Sequence, residues 1–268
     1  MFKIIASDMD GTLLTPEHRF GAYTKKILQS LHQQGYVFAF ATGRHHVEVA
    51  QYHKQLNIPA YMITSNGARV HDLAGKELFS KNLDPDVIQD IVAMAKTDDS
   101  IAIQMYSDTQ WLLSKEMPDS IAYHKDTDFT YHLFDVNQPP TQNIAKVYFT
   151  SASRDHAHLC EWENKFNTLF KGKVHIAFST PWCLEVMAMH VSKGDALAIV
   201  AKQEGVSLAN CMAFGDGMND LEMLQTVKKG LVMQSAHDRV KKAAPELDVI
   251  GLCADEAVAH YLEDHLLK

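Results

Sequence analysis

The stretch Ile4-Ile5-Ala6-Ser7-Asp8-Met9-Asp10-Gly11-Thr12-Leu13-Leu14 decides how the chain is read. It begins as a short apolar, partly β-branched run, the pattern of a strand buried on both faces. Residues 3–7 are expected to form a central strand with Asp8 at its carboxyl end. Sites in open α/β sheets lie in the crevice beyond such ends. Strand side chains two apart point the same way, which suggests that Asp8 and Asp10 lean over one site as the chain leaves the sheet. Gly11 permits the tight turn that follows. Asp and Gly are also ordinary turn residues. Against that plainer reading, two carboxylates beside an apolar strand are costly to bury unless a cation lies between them. A metal site is the better reading.

Working outward, the same layout recurs. Residues 20–34 carry apolar positions at helical spacing, with Gly35 as a cap. Residues 36–41 then read as a second buried strand running into Thr42-Gly43-Arg44. A hydroxyl, a glycine and free backbone amides can cradle phosphate oxygens. The alternative for Thr42 is a helix cap. Arg44 can pair with phosphate or with an acidic surface neighbour. A helix over residues 45–56, a strand over 60–64 ending at Ser65-Asn66-Gly67, and a hairpin from 70–73 and 77–79 follow. His18, His45, His46 and His53 form no His-Glu-x-x-His pattern and read as solvated or hydrogen-bonded.

In the last third, Ser192 is a candidate cap for a helix running to about residue 203, with Lys193 in its first turn. A cation there opposes the helix dipole unless an anion lies nearby; a solvated lysine is the plain alternative. Residues 211–214 form another buried strand, ending in Gly215-Asp216-Gly217-Met218-Asn219-Asp220. Asp216 and Asp220 are spaced one helical turn apart, so both can face one ion or one lysine. Asn219 can donate to an anion. This second acidic cluster, all hard oxygen, favours magnesium near a phosphate. Further strands are expected at 230–233 and 249–250, and helices at 236–243 and 255–266. The alternation supports an α/β core.

From about residue 83 the texture changes. A helix over 84–96, strands at 101–106, 110–113, 129–136 and 145–150, a helix over 153–166 capped by Ser153, and strands at 174–179 and 183–187 make an inserted α+β unit. It carries no phosphate cradle or metal-ligand spacing of its own. Its aromatic residues read mainly as core, with Tyr106, Trp111, Trp182 and His190 as candidates for substrate contact.

The whole chain sets outer limits. It has 268 residues, enough for one large domain or two smaller ones. With 46% hydrophobic and 22% charged residues it has an ordinary globular composition. Its net charge of −8 argues against nucleic acid or an anionic membrane as a partner. No apolar run approaches the roughly 18 residues of a membrane span. A cleaved leader would remove the metal-site candidate, so none is expected. Cys160, Cys183, Cys211 and Cys253 are widely spaced and read as buried free thiols in a reducing, cytoplasmic setting.

Taken together, Asp8-Met9-Asp10-Gly11-Thr12, Thr42-Gly43-Arg44, Lys193 and Gly215-Asp216-Gly217-Met218-Asn219-Asp220 resemble the haloacid dehalogenase-like phosphatases, specifically the Cof-type subgroup, over essentially the whole chain. The sequence is similar to bacterial members that hydrolyse pyridoxal 5′-phosphate or sugar phosphates. The expected fold is α/β: a Rossmann-like three-layer core with a mostly parallel sheet, residues 1–82 and 188–268, plus an inserted α+β cap, residues 83–187, that selects substrate. The resemblance implies Asp8 as nucleophile and Asp10 as general acid–base. It implies Mg2+ held by the Asp8 carboxylate, the Asp10 backbone carbonyl and Asp216, with Asp220 in support. Thr42 and Lys193 would bind the phosphoryl group, Lys193 would also orient Asp8, and Gly43 and Asn219 would complete the pocket. The neighbours of Asp10 can raise its pKa, by an amount the sequence does not give. One departure is His190, where such enzymes often have glycine before Val-Ser-Lys; it can alter that loop. The expected activity is magnesium-dependent hydrolysis of a small phosphorylated metabolite by a monomer or small homo-oligomer. A phosphomutase and a non-catalytic binding protein are the alternatives. A dinucleotide-binding oxidoreductase is disfavoured because no Gly-x-Gly-x-x-Gly turn follows the first strand.

Overall fold

The structure, a computed structural model, describes residues 1–118 and 129–267, without the side chains of residues 53 and 54; His53 thus lies outside the described side chains. The chain packs as two compact units, residues 1–79 with 192–268, and residues 80–191.

The larger unit is built on an eight-stranded sheet. Its strands are β1 (Ile4–Ser7), β2 (Val37–Ala41), β3 (Ala60–Thr64), β4 (Arg69–His71), β5 (Glu77–Ser80), then β12 (Cys211–Gly215), β13 (Lys229–Met233) and β14 (Asp248–Ile250). Their order is β14-β13-β12-β1-β2-β3-β4-β5, with β14 through β3 parallel and β4 antiparallel to β3. β1 is therefore central, as its unbroken apolar run requires.

Alternation of side chains splits the core into two layers. Ile5, Phe38, Phe40, Met212 and Phe214 face α1 (Ala22–Gln33) and the C-terminal helix α8 (Ala257–Leu266) through Leu28, Leu31, Val258 and Leu262. Ile4, Ala6, Ala39, Ala41 and Ala213 face the opposite way, against Leu197 and Val200 of α5 (Lys193–Gln203) and Met223 and Leu224 of α6 (Leu221–Thr226). The alanines of this face let α5 approach closely, which brings its first turn to the carboxyl ends of the strands. Register aligns those ends: Ser7 pairs with Phe40 on one side and Phe214 on the other. Asp8, Thr42 and Asp216 consequently leave the sheet along one edge.

The smaller unit is a six-stranded sheet of β6 (Ile101–Tyr106), β7 (Trp111–Leu113), β8 (Tyr131–Leu133), β9 (Lys146–Ser151), β10 (Val174–Thr180) and β11 (Cys183–Ala188), ordered β10-β11-β9-β6-β7-β8. It is antiparallel except for β7 and β8. α3 (Pro85–Ala95) begins at Asp84, whose carboxylate accepts from the Asp86 amide, with Pro85 at the first position. α4 (His156–Leu169) is capped by Asp155 rather than Ser153, whose hydroxyl instead bonds that of Ser151 at 3.0 Å. The strand expected over 129–136 shrinks to three residues.

The fold is thus the expected α/β core with a mostly parallel sheet and a second, smaller sheet unit. No helix among the described residues is long and apolar enough to cross a membrane. None of the four cysteines forms a disulfide, and of the four Cys211 is the buried one.

Candidate active site

At the carboxyl end of β1 the Asp8 amide donates to Phe214 O at 2.9 Å, tying the residue to β12. Its Oδ1 accepts from Lys193 Nζ at 2.5 Å, and the same Nζ donates to Asp220 Oδ1 at 2.6 Å. Lys193 is 0% exposed, in the first turn of α5 behind the Ser192 cap. The two carboxylates resolve the conflict between that lysine and the helix dipole: they are the nearby anions. Burial favours the neutral amine, yet Asp220 and Asp8 outweigh it and hold the ammonium charged well above its ordinary range.

Asp220 is spoken for on both sides. Its Oδ2 accepts from the backbone amides of Asp216 (3.0 Å) and Gly217 (2.8 Å), closing the loop after β12. Asp216 and Asp220 therefore do not stand on consecutive turns of one helix, as their spacing suggested; the second carboxylate folds back to hold the first residue's backbone. Thr12 donates to Asp216 Oδ1 at 2.8 Å from the turn after β1. Asp8, Asp216 and Asp220 bring carboxylate oxygens within 4.8 Å of one another. Burial, then Asp220, pushes the Asp216 carboxyl up to about 7. Burial likewise raises Asp8 well above its ordinary value, with Lys193 opposing and the other aspartates adding. Like charges crowded this way call for a cation.

Asp10 sits apart from this cluster. Arg44 Nε donates to its Oδ2 at 2.6 Å and Arg44 Nη2 to its Oδ1 at 2.7 Å, while His18 Nδ1 lies 2.8 Å from Oδ1. Burial alone would raise the Asp10 carboxyl, but the Arg44 hydrogen bonds and charge, with His18, hold it well below the usual carboxylate range. The upward shift considered from sequence is thus reversed. Arg44 is buried and pairs with the partly exposed Asp10 and with the fully buried Glu48 of α2 (His46–Leu56).

Around Thr42, the Oγ1 accepts from the Arg44 amide at 3.1 Å and the carbonyl from the Asn66 amide at 3.0 Å. Asn66, in the left-handed region, accepts from Asn219 Nδ2 at 3.0 Å. The turn after β3 thereby locks the turn after β2 to the loop after β12.

A family profile described as haloacid dehalogenase-like hydrolase matches residues 5–262. The chain belongs to the haloacid dehalogenase-like hydrolases. It is 39% identical over 98% of its length to an HMP-PP phosphatase of Enterobacter, covering 95% of that protein. An HMP-PP phosphatase of Cronobacter sakazakii is 40% identical, with the same coverage of both chains. A solved haloacid dehalogenase-like hydrolase from B. subtilis superposes with a TM-score of 0.82 at 22% identity, over 99% of this chain and all of the other. Family and carboxylate cluster together make the chain an enzyme, a magnesium-dependent phosphatase of this type.

The residues present fit such an ion: the donors are carboxylate oxygens, buried for Asp8 and Asp220 and half-buried for Asp216, and crowded beyond what Lys193 neutralises. Asp8 and Asp216 each take one of the bonds above on Oδ1, whereas both oxygens of Asp220 are engaged.

Other sequence candidates fall elsewhere. Tyr106 and Trp111 are buried in the smaller unit, where Trp111 Nε1 donates to Gln104 Oε1 at 3.0 Å. Trp182 is partly exposed, with Arg154 over its ring. His190 has φ +60°, the left-handed region, which is why glycine suits this position; the loop keeps such a path with histidine in place. Sequence reasoning missed the Arg44–Glu48 pair and the Asn66–Asn219 bond. Glu48 four residues after Arg44 at a helix start was the available signal.

Proposed function

We propose that this haloacid dehalogenase-like hydrolase removes a phosphoryl group from a small phosphorylated metabolite through an aspartyl phosphate on Asp8. The observation that carries the reading is the buried Lys193 bridging Asp8 and Asp220, with Asp216 alongside. Asp8 Oδ attacks phosphorus, and the bond from phosphorus to the ester oxygen breaks. Asp10, once released from Arg44 and His18 and protonated from solvent, would give the departing oxygen that proton, then accept one from the water that hydrolyses the acyl phosphate. Lys193 fixes the attacking carboxylate and offsets its repulsion from the phosphoryl oxygens. Mg2+, held by Asp8, Asp216 and the Asp10 carbonyl with Asp220 behind them, would supply the remaining positive charge. Thr42, Gly43 and Asn219 would line the phosphate position.

The core motifs recognise phosphate and metal rather than the rest of the substrate, so selection falls to the inserted cap. The relatives' names make HMP-PP the leading candidate, with pyridoxal 5′-phosphate and hexose phosphates next. The test is a comparison of kcat/KM across HMP-PP, pyridoxal 5′-phosphate, glucose 6-phosphate, fructose 1-phosphate, flavin mononucleotide and nucleoside monophosphates, without added acceptor. Free phosphate released fastest from one of the first four supports the reading. Transfer without free phosphate points to a mutase. A nucleotide preferred over all of the first four overturns the substrate assignment.

A further inference from the structure

We infer that Asn66 is the positioning residue for the Asn219 side chain, and that the turn carrying Asn66 sets the spacing of the phosphate-lining groups. The inference rests on the phosphate-lining role given to Asn219 above. Asn219 needs such support, because it stands in a single short turn, Met218–Asp220, of which Asp220 is committed to Lys193. Asn66 Oδ1 accepts from Asn219 Nδ2 at 3.0 Å, with both side chains buried. That bond uses one of the two N–H groups on Nδ2 and fixes the amide plane. The second N–H of the same nitrogen is the donor for an anion.

The turn after β3 reaches three phosphate-lining segments at once. Ser65, Asn66 and Gly67 take φ of +48°, +56° and +101°, three left-handed residues in succession. Each then meets a different neighbour. The Ser65 amide donates to Arg44 O at 2.9 Å and the Asn66 amide to Thr42 O at 3.0 Å, which holds the turn after β2. Gly67 lies against the Ser192 carbonyl, where a Cβ would come within 2.2 Å, so the start of α5, next to Lys193, packs on this turn. The Asn66 side chain reaches the third segment, the loop after β12. Thr42, Lys193 and Asn219 thus take their spacing from one three-residue turn.

Stability does not explain the arrangement. Left-handed backbone is unfavourable for serine and, to a lesser degree, asparagine, and such strain persists where the surroundings impose it. The hydroxyls of Thr64 and Ser65 are buried with no hydrogen-bond partner among the described residues, a further cost. Glycine at position 66 would relieve the backbone without loss if the turn served only to reverse the chain. An asparagine that directs its carbonyl at Asn219 makes sense as geometry for binding an anion.

The test uses the magnesium-loaded full chain with two readouts: kcat/KM for p-nitrophenyl phosphate, and affinity for inorganic phosphate by calorimetry. Asn219→Ala should lower kcat/KM about 10²-fold, the scale of one lost anion donor. Asn66→Gly keeps the left-handed path and removes the carbonyl; it should lower kcat/KM about tenfold and weaken phosphate binding at least about threefold. Magnesium affinity should stay within about twofold of wild type, because Asp8, Asp216 and Asp220 are left intact. The deciding measurement is a double-mutant cycle. In the Asn219→Ala background, adding Asn66→Gly should change either readout by less than about twofold. A full second loss in that background, a parallel loss of magnesium affinity, or wild-type behaviour of Asn66→Gly overturns the assignment. Should Asn66→Gly fail to fold, Asn66→Ser gives the same decision: serine is too short to reach Asn219, and Ser65 shows that it takes the left-handed path in this turn. A wild type that binds phosphate but releases none from the ester overturns the phosphatase reading alone, and the binding cycle still decides the role of Asn66. A wild type that does neither overturns both.

Discussion

Nζ of Lys193 lies 2.5 Å from Oδ1 of Asp8, across 185 residues of sequence. The pair joins the end of the first strand to the start of α5, and burial makes it both strong and demanding of its partners. Asp8→Asn keeps the shape and removes the nucleophile. Phosphate release is expected to fall at least about 10³-fold, the range for loss of a covalent catalyst. Asparagine also removes one of the crowded carboxylates, so thermal unfolding of the metal-free variant should occur no lower than that of wild type. Turnover within tenfold of wild type would exclude Asp8 as nucleophile.

Gly11 is fixed by its neighbour rather than by its own turn alone. A Cβ there would stand 2.5 Å from Asp216 Oδ2, and φ is +78°. Gly11→Ala is therefore expected to push Asp216 out of the carboxylate cluster. Magnesium affinity, read by calorimetry, should weaken at least about tenfold, together with a backbone strain cost of about 1 kcal/mol. Unchanged affinity would show that Asp216 holds no part of the ion.

Removing the metal should abolish activity, and magnesium should restore it, with manganese a partial substitute. A second readout needs no turnover: magnesium should raise the unfolding temperature, since it binds only the folded cluster. Asp216→Asn should lose that shift. Full activity after exhaustive chelation, with metal content verified, would refute this scheme.

The smaller unit carries its own pH dependence. His158 Nε2 lies 2.5 Å from Asp98 Oδ2, which also accepts from Trp162 Nε1 at 2.8 Å. The bond to Asp98 raises His158 above its ordinary 6.5, so its stabilising contribution is complete below that pH and lost as pH rises through the raised value. Burial would raise Asp98, but Ser100, Trp162 and His158 bonds win and lower it from 3.8; its contribution is present above that pH and lost on acidification. Stability from this pair should thus be greatest between pH 3.8 and 6.5. An NMR titration should find His158 above 6.5, and Asp98→Asn should return it to about that value. A wild-type value at or below 6.5 would remove the basis for this window.

Much of the core was legible because its causes are local. An apolar run followed by Asp8, another followed by Thr42 and a third followed by Asp216 each announce a buried strand with a polar terminus. Parallel pairing then requires those termini to share one edge, as the Ser7–Phe40 and Ser7–Phe214 register has it. The Asp84 and Ser192 caps were equally readable, since a cap bonds amides only two or three residues on.

What tertiary structure alone decided is which polar group meets which. Asp10 and Arg44 are 34 residues apart, and Asn66 and Asn219 are 153 apart. Nothing in either segment alone selects the other. The direction of the Asp10 shift depended on whether its nearest neighbours were the acidic cluster or Arg44. The folding-back of Asp220 onto the Asp216 amide overrode the helical spacing of the pair. Tyr106 and Trp111 became core because the smaller sheet covers them. The sequence determined where strands end and which chemistry stands there, because backbone propensity and apolar periodicity act over a few residues. The pairing of charges was left to the fold, because it turns on distances of a few ångströms and on burial that only the assembled sheet and helices create.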